Sequence, residues 1–292
     1  MHQECRISII TINYNGLGDT CSLLDSIASV DSQTEVIVVD NASLEDEASV
    51  LASKYPFATV VRSDENLGFA GGNNLGFKHS HGRYVFFVNN DTVFDVNELG
   101  ELVKRMESSE KTGMVCPKIK FFFDKQSIQF AGYTKLSAIT LRNRAIGFAV
   151  ADHGQYDHAH TTPYAHGAAM LVRREAILRS GLMPECYFLY YEALDWSLML
   201  RRHGYEIWYE PMCTVYHKES QTTGADSPLR TYYMTRNRML FAKRNVPCPT
   251  RFFTLAYLLL VASVKDFVFH VARRRFDLAK ATIKGIIDFF RL

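Results

Sequence analysis

The sequence predicts an α/β fold, a mostly parallel sheet flanked by helices, followed by a C-terminal helical extension. Three observations carry this expectation. Continuous apolar runs alternate with helical stripes through the first third of the chain. The polar residues of that third gather where the runs end. Beyond Thr231 the pattern is helical. Strands without polar alternation are buried on both faces, as parallel strands under helices are.

In chain order, Arg6–Ile12 is a β-branched run and the first strand, and Leu23, Leu24 and Ile27 follow at helical spacing. Glu35–Val39 is the second strand, ending at Asp40, and Thr59–Val61 is a weaker third. Tyr84–Val88 is the fourth, ending at Asn89, Asn90 and Asp91. Leu99, Leu102, Val103 and Met106 mark a helix. Phe121 to Tyr164, rich in Gly, His, Thr and aromatics, has a weak strand–loop character. Ala168–Val172 is another strand, and Glu192–His203 is a helix closed by Gly204. Pro247 and Pro249 interrupt the helical tail. Phe252–Val264 follows them, then an amphipathic stretch from Phe267 to Phe290 with Arg273–Arg275 in its middle.

Composition narrows the function. With 47% hydrophobic and 22% charged residues there is ample material for a core, so disorder is excluded as the main state. Phe252–Val264 is an apolar run of 13 residues, short of the roughly 18–20 that span a bilayer. No basic-then-apolar segment opens the sequence, so export is not expected. Cys5, Cys21, Cys116, Cys186, Cys213 and Cys248 are scattered without a C-x-x-C pair and read as reduced core residues. The net charge of +2 hides an asymmetry: from Arg230 onward there are 13 Lys/Arg against 3 Asp/Glu, and before it 20 against 28. Because the basic residues alternate with Phe, Leu, Ile and Val, the tail fits a membrane surface better than nucleic acid. Packing of these helices on the body or on a second copy, as a homodimer, is the alternative.

In open α/β sheets ligands bind at the carboxyl ends of the strands. Asn13, Asp40 and the Asn89–Asp91 trio stand there. A carboxylate such as Asp91 beside a phosphate site suits Mg²⁺ or Mn²⁺, which use one or two carboxylates plus substrate phosphates; the trio equally reads as an Asn/Asp-rich turn. Asn66–Gly76 holds four glycines and three asparagines in eleven positions and reads as a ligand-lining loop. There is no G-x-G-x-x-G after the first strand and no Walker lysine, against a dinucleotide or P-loop site.

Eight segments in order resemble glycosyltransferase family 2, in its rhamnosyltransferase-like branch. They are Ile10–Asn15, Val38–Ser43, Asn66–Gly76, Val88–Asp91, His166–Arg173, Phe188–Asp195, His217 and Tyr232–Arg238, together covering about residues 6–245. The resemblance implies a GT-A fold: a nucleotide-sugar-binding half over 1–115, an acceptor and catalytic half over 116–245, and a separate amphipathic segment over 246–292. It places Thr11 and Asn13 against the nucleotide, Asp40 on the base or ribose, and Asn66, Gly71 and Asn74 along the donor pocket, with Asn90 beside them. Asp91 matches the last position of a D-x-D-like metal motif whose first position is Asn89, and His217 completes the metal site. Arg236, with Asn237, faces the diphosphate or a lipid-linked acceptor.

The resemblance also implies inverting transfer, in which a carboxylate base takes the proton of the attacking acceptor hydroxyl. In the family that base is usually the second position of an E-(D/E)-x-D cluster. Here the cluster reads Glu192-Ala193-Leu194-Asp195, and alanine cannot accept a proton. Three explanations stand open: an alanine introduced in place of an acid, use of Glu192 or Asp195 instead, or a homologue that only binds. Glu192 and Asp195, three apart, share a helix face. The expected donor is a nucleotide-diphospho sugar, dTDP-rhamnose first and a UDP-sugar second. The expected acceptor is a lipid-linked or oligosaccharide precursor of a bacterial surface polysaccharide such as O-antigen. The expected location is cytoplasmic and peripheral, on the cytoplasmic face of the inner membrane. Two other classes are a non-catalytic nucleotide-sugar binder and a nucleotidyltransferase. The latter is disfavoured because Asn13–Gly18 contains no Lys or Arg to hold a triphosphate.

Overall fold

The computed structural model describes residues 6–218 and 226–292, so Cys5 lies outside the described residues. β1 (Ile7–Asn13), α1 (Leu17–Ser26), β2 (Thr34–Asn41), α2 (Glu47–Lys54), β3 (Ala58–Ser63), α3 (Gly68–Lys78) and β4 (Tyr84–Val88) form the first part. All four strands are parallel, and Ile9, Ile10, Val38, Val39, Phe86 and Phe87 are buried between the helical layers. β5 (Thr92–Phe94), α4 (Leu99–Glu107), β6 (Thr112–Phe121), β7 (Ser127–Phe130), β8 (Val150–Ala151), β9 (His160–Thr161) and β10 (Ala169–Arg173) follow. Then come α5 (Arg174–Ser180), α6 (Glu192–Arg202) and β11 (Glu206–His217). The strand order is β3-β2-β1-β4-β10-β6-β11-β5. β10 enters between β4 and β6, antiparallel to both, reached by irregular chain rather than a helical crossover. That insertion places residues 166–168 beside the end of β4, where Asn89 N donates to Ala168 O at 2.9 Å.

The Asn66–Gly76 segment is not a loop. Most of it is α3, packed on β1 and β2. Its glycines set the approach: a Cβ on Gly72 would stand 2.8 Å from Ile12 Cδ1, and one on Gly76 2.4 Å from Ile10 Cγ2. Helix propensity alone disfavours so many glycines; close packing on the sheet overrides it. Gly76→Ala is therefore expected to cost about 1–3 kcal/mol by overpacking, read as a drop in melting temperature. An unchanged melting temperature would mean α3 can ride further from the sheet.

Ser227 caps α7 (Pro228–Asn245), its Oγ accepting from Arg230 N at 3.2 Å. After it come α8 (Thr250–Tyr257), a π-helical turn at Leu258–Ala262, α9 (Ser263–Ala272) and α10 (Phe276–Phe290). Two tail expectations are corrected. Thr250–Ala272 runs as one helical stretch of 23 residues, within which an 18-residue window has a mean hydropathy of 1.8, long and apolar enough by length and composition to cross a membrane. Counting consecutive apolar residues stopped at Lys265, but the helix does not. And Arg273–Arg275 is not mid-helix: Arg274 has φ 57° and the chain turns there between α9 and α10. α10 lies on α7, where a Cβ on Gly285 would meet Tyr232 O at 2.8 Å and Tyr232 Oη donates to Asp288 at 2.9 Å. Met239 and Phe241 of α7 share a second core with Leu258 and Phe289, so packing continues across residue 245.

Candidate active site

β11 ends at His217, opposite Thr92 of β5, and this pairing brings its ring to Asp91 just past β4. His217 Nε2 lies 3.2 Å from Asp91 Oδ1, and Nδ1 lies 2.8 Å from Gln129 Oε1 on β7. With the Gln129 carbonyl accepting, the proton of a neutral ring sits on Nδ1. The Nε2 lone pair then faces Asp91 Oδ1, a buried oxygen that makes no hydrogen bond. Two buried acceptors facing each other are satisfied by a proton on Nε2, which makes the contact an ion pair, or by a bound cation. One carboxylate oxygen and one imidazole nitrogen, the latter fixed through its other ring nitrogen, fit a divalent ion that takes its other ligands from phosphates and water. Among the described residues no group of three or more His, Cys, Asp or Glu converges. His166 stacks on Tyr133 and lies 6.1 Å from the His217 ring. Burial pushes its pKa down to about 3, so it adds no charge there. Lys218 N donates to Asp91 O at 2.9 Å, and its Nζ pairs with Asp19 at 2.6 Å.

The strand-end residues divide into two kinds. Asn13 is fully buried, and its amide donates to Asp40 (3.0 Å), Ser43 (3.1 Å) and Glu47 (2.7 Å) and accepts from Thr20 (2.6 Å). It ties β1 to β2 and α2 rather than offering polar atoms to a ligand. Asn90 donates to Thr20 at 3.0 Å. Asp40 Oδ2 and Thr11 Oγ1, by contrast, are buried without a hydrogen bond, the former 3.7 Å from Arg62 Nη1. Asn66, Gly71 and Asn74, expected along the donor pocket, lie at the start of α3 and within it. Asn66 Oδ1 accepts from Gly68 N and Asn41. Gly71 packs under Leu67, whose Cβ is 2.7 Å from where a Gly71 Cβ would be. Asn74 bonds Met183 N and O and Glu185. All three hold the start of α3 to its surroundings, because this segment folds as a helix.

The acidic cluster opens α6. Ahead of it Phe188 (φ 66°), Tyr190 (φ 66°) and Tyr191 (φ 75°) are all left-handed, uncommon for bulky side chains. Arg236 holds this loop: its guanidinium donates to Tyr187 O (2.7 Å) and Cys186 O (3.3 Å). Tyr187 and Tyr191 pack on each other, and Tyr191 also on Phe241, as core. The two acids differ. Asp195 Oδ2 accepts from Tyr187 Oη at 2.8 Å and Arg244 Nε at 2.7 Å, while its Oδ1 is buried without a partner. Glu192 is buried, and its Oε2 has no partner. Burial pushes its pKa up to about 7, against backbone N–H groups that hold it down. Ala193 Cβ lies 3.7 Å from the Cβ position of Gly167, so the start of α6 and the end of β4 flank residues 166–168. Gln129, Asn41 and Arg244 were missed by sequence reasoning, each paired with residues distant in sequence.

The family model described as Glycosyl transferase family 2 matches residues 8–179. The low-salt glycan biosynthesis hexosyltransferase of Haloferax volcanii is 25% identical over 239 residues, spanning 80% of this chain and 74% of that protein. A mannosyltransferase from Pyrobaculum calidifontis, solved with GDP-Man and Mn²⁺, superposes with a TM-score of 0.61 at 18% identity, over 98% of this chain and 87% of its own. S. aureus TarS 1–349 with UDP-GlcNAc gives 0.61 at 16% identity, over 97% and 80%. These likenesses show the fold.

Proposed function

The chain belongs to glycosyltransferase family 2, a nucleotide-sugar transferase with the GT-A fold, and we propose that it transfers by inversion with Glu192 as the base. The observation that carries this is the buried Glu192 carboxyl, with one oxygen free, beside an alanine where the family's acid is expected. Asp195 also keeps one buried oxygen without a partner, Oδ1, but its Oδ2 is ion-paired with Arg244, which favours the charged carboxylate and makes Glu192 the better match. As the acceptor oxygen bonds to the anomeric carbon, the bond from that carbon to the nucleoside diphosphate breaks, and Glu192 takes the hydroxyl proton. A carboxyl titrating near the working pH is well matched to that transfer. Asp91 and His217 would hold Mn²⁺ or Mg²⁺; when bound, the ion neutralises charge on the leaving diphosphate. The oxygens of Asp40 and Thr11 that make no hydrogen bond offer acceptors to the nucleoside, Asp40 Oδ2 beside Arg62. The branch resemblance puts dTDP-rhamnose first as donor. The solved neighbours with UDP-GlcNAc and GDP-Man keep UDP- and GDP-sugars in the test.

A melting-temperature screen with dTDP, UDP, GDP and their sugars, each with and without Mn²⁺, tests the donor site. A ligand at about 100 times its Kd stabilises by about 2.7 kcal/mol, so one nucleotide should raise the midpoint by several degrees, more with the metal. No shift with any of them, in folded protein, overturns the donor assignment.

The acceptor we place on a membrane, as a lipid-linked glycan. Leu260, Val264 and Val268 form an exposed i, i+4 stripe, and Arg273 and Arg274 follow at the end of the same helix. An apolar face with a basic edge fits an anionic bilayer. The full-length protein should float with vesicles containing phosphatidylglycerol, and Leu260→Glu with Val264→Glu should sink. Equal recovery of both would remove the membrane from this reading and leave a second copy of the chain as the partner, checked by its mass in solution.

A further inference from the structure

We propose that Asn237 is a positioning residue for Glu192, its side-chain amide holding the Tyr187–Tyr191 loop in the shape that aims the Glu192 carboxyl. The inference rests on the reading of Glu192 as base and adds to it a residue on another helix. Asn237 is fully buried on α7. Its Nδ2 donates to three carbonyls of the loop: Tyr187 O at 2.9 Å, Leu189 O at 2.7 Å and Tyr190 O at 3.0 Å. Carbonyl dipoles converging on one point repel one another unless a donor stands at that point. The amide group is that donor, and its orientation is set by the neighbouring residue. Arg236 Nε donates to Asn237 Oδ1 at 2.8 Å, and because arginine cannot accept, Oδ1 must face Arg236 and Nδ2 must face the loop.

The link to Glu192 is a single peptide plane. Leu189 C=O, gripped by Asn237, and Tyr190 N–H belong to the same peptide unit. In a trans peptide the two point opposite ways, so fixing the carbonyl aims the N–H. That N–H is one of the two backbone groups that hydrogen-bond the Glu192 carboxyl. The other contacts of Asn237 hold the left-handed turns at Phe188, Tyr190 and Tyr191, which are sparsely populated and persist only where surroundings over-determine them. The same turn touches the donor half: Phe69 N donates to Phe188 O at 2.8 Å, and Gly68, at φ 69°, packs under the Phe188 ring. Asn237 therefore couples α7 to the loop that presents the acid and abuts the start of α3.

The test uses the full chain labelled with ¹³C at the glutamate side-chain carboxyl, titrated by NMR, with the Glu192 signal identified by its absence in Glu192→Gln. In the wild type the signal should titrate near 7. Asn237→Asp keeps the side chain's size but turns the donor into an acceptor facing three carbonyls, and Asn237→Ala removes it. Both should move the Glu192 midpoint upward, further from the ordinary carboxyl range, by about 1 pH unit, because a misaimed Tyr190 N–H no longer holds the carboxylate's pKa down. A structural role alone would lower the melting temperature and leave the midpoint in place. An unchanged midpoint in folded Asn237 variants, with the wild type near 7, overturns the positioning role and leaves the base reading intact. A wild-type midpoint near 4.5 would instead fail the base reading. If the Asn237 variants do not fold, Arg236→Gln, which frees Asn237 Oδ1, should still shift the midpoint, and no shift there overturns the proposal.

Discussion

Glu192→Gln should abolish sugar transfer and at the same time leave the protein more stable than the wild type at alkaline pH, relative to their difference at acid pH. The loss of rate is expected at about 10²–10⁴-fold, the worth of a positioned base. Glutamine keeps the size and the backbone contacts of Glu192 but cannot take a proton, so nucleotide binding in the melting assay should survive. The rate of the wild type should rise through pH 7 and level above it, because the ionised carboxyl is the active form and titrates at about 7. Transfer that persists in Glu192→Gln with its acid limb unmoved would assign the base elsewhere.

The stability half follows from the same group. Its folded-state pKa is raised from 4.5 to about 7 because burial penalises the charge. Between those values the unfolded chain has released the proton and the folded chain has not, so the unfolded state binds fewer protons. Stability then falls as pH rises through that window and flattens above it. A shift of this size corresponds to about 3 kcal/mol. Glutamine has no such dependence, so the stability gap between variant and wild type should change by about that amount from pH 4.5 to pH 8. Chemical denaturation at the two pH values measures it. A constant gap would show that water reaches Glu192 in the folded protein.

The sequence carried the sheet more readily than the site. β1 and β4 were legible because buried parallel strands need unbroken apolar runs, which Ile7–Ile12 and Tyr84–Val88 supply. α3 was not, because the glycines that let it approach Ile10 and Ile12 are poor helix formers when weighed locally. Asp91 and His217 were picked out by motif and stand side by side, but the residue that contacts the His217 ring from its other side, Gln129, stands 88 positions away with no spacing rule to find it. Glu192 and Asp195 look alike on a helix face. What separates them is Arg244, 49 positions further on, which neutralises one and leaves the other alone. The Arg236–Asn237 pair resembles a ligand-facing motif. It turns inward because the aromatic residues before α6 adopt left-handed backbone, which nothing in their identity announces.

Asp91→Asn should separate metal binding from folding by moving them in opposite directions. With the His217 ring neutral in the metal-free protein, its Nε2 lone pair faces an unbonded carboxylate oxygen at 3.2 Å. An asparagine amide at that place donates to Nε2, turning an acceptor–acceptor contact into a hydrogen bond. A satisfied buried pair in place of an unsatisfied one is worth about 1–3 kcal/mol, so the metal-free melting temperature should rise. The same substitution removes the anionic ligand, so the additional Mn²⁺-dependent shift with nucleotide should vanish. Gln129→Leu tests the orientation argument separately: without the Oε1 acceptor the His217 ring loses its tautomer lock, and Mn²⁺ affinity should fall about 10–100-fold, measured from free Mn²⁺ by electron paramagnetic resonance. Metal-free stability falling in Asp91→Asn would mean that His217 is protonated there and that the contact is an ion pair. Undiminished Mn²⁺ binding in Asp91→Asn would move the metal away from Asp91 and His217 altogether.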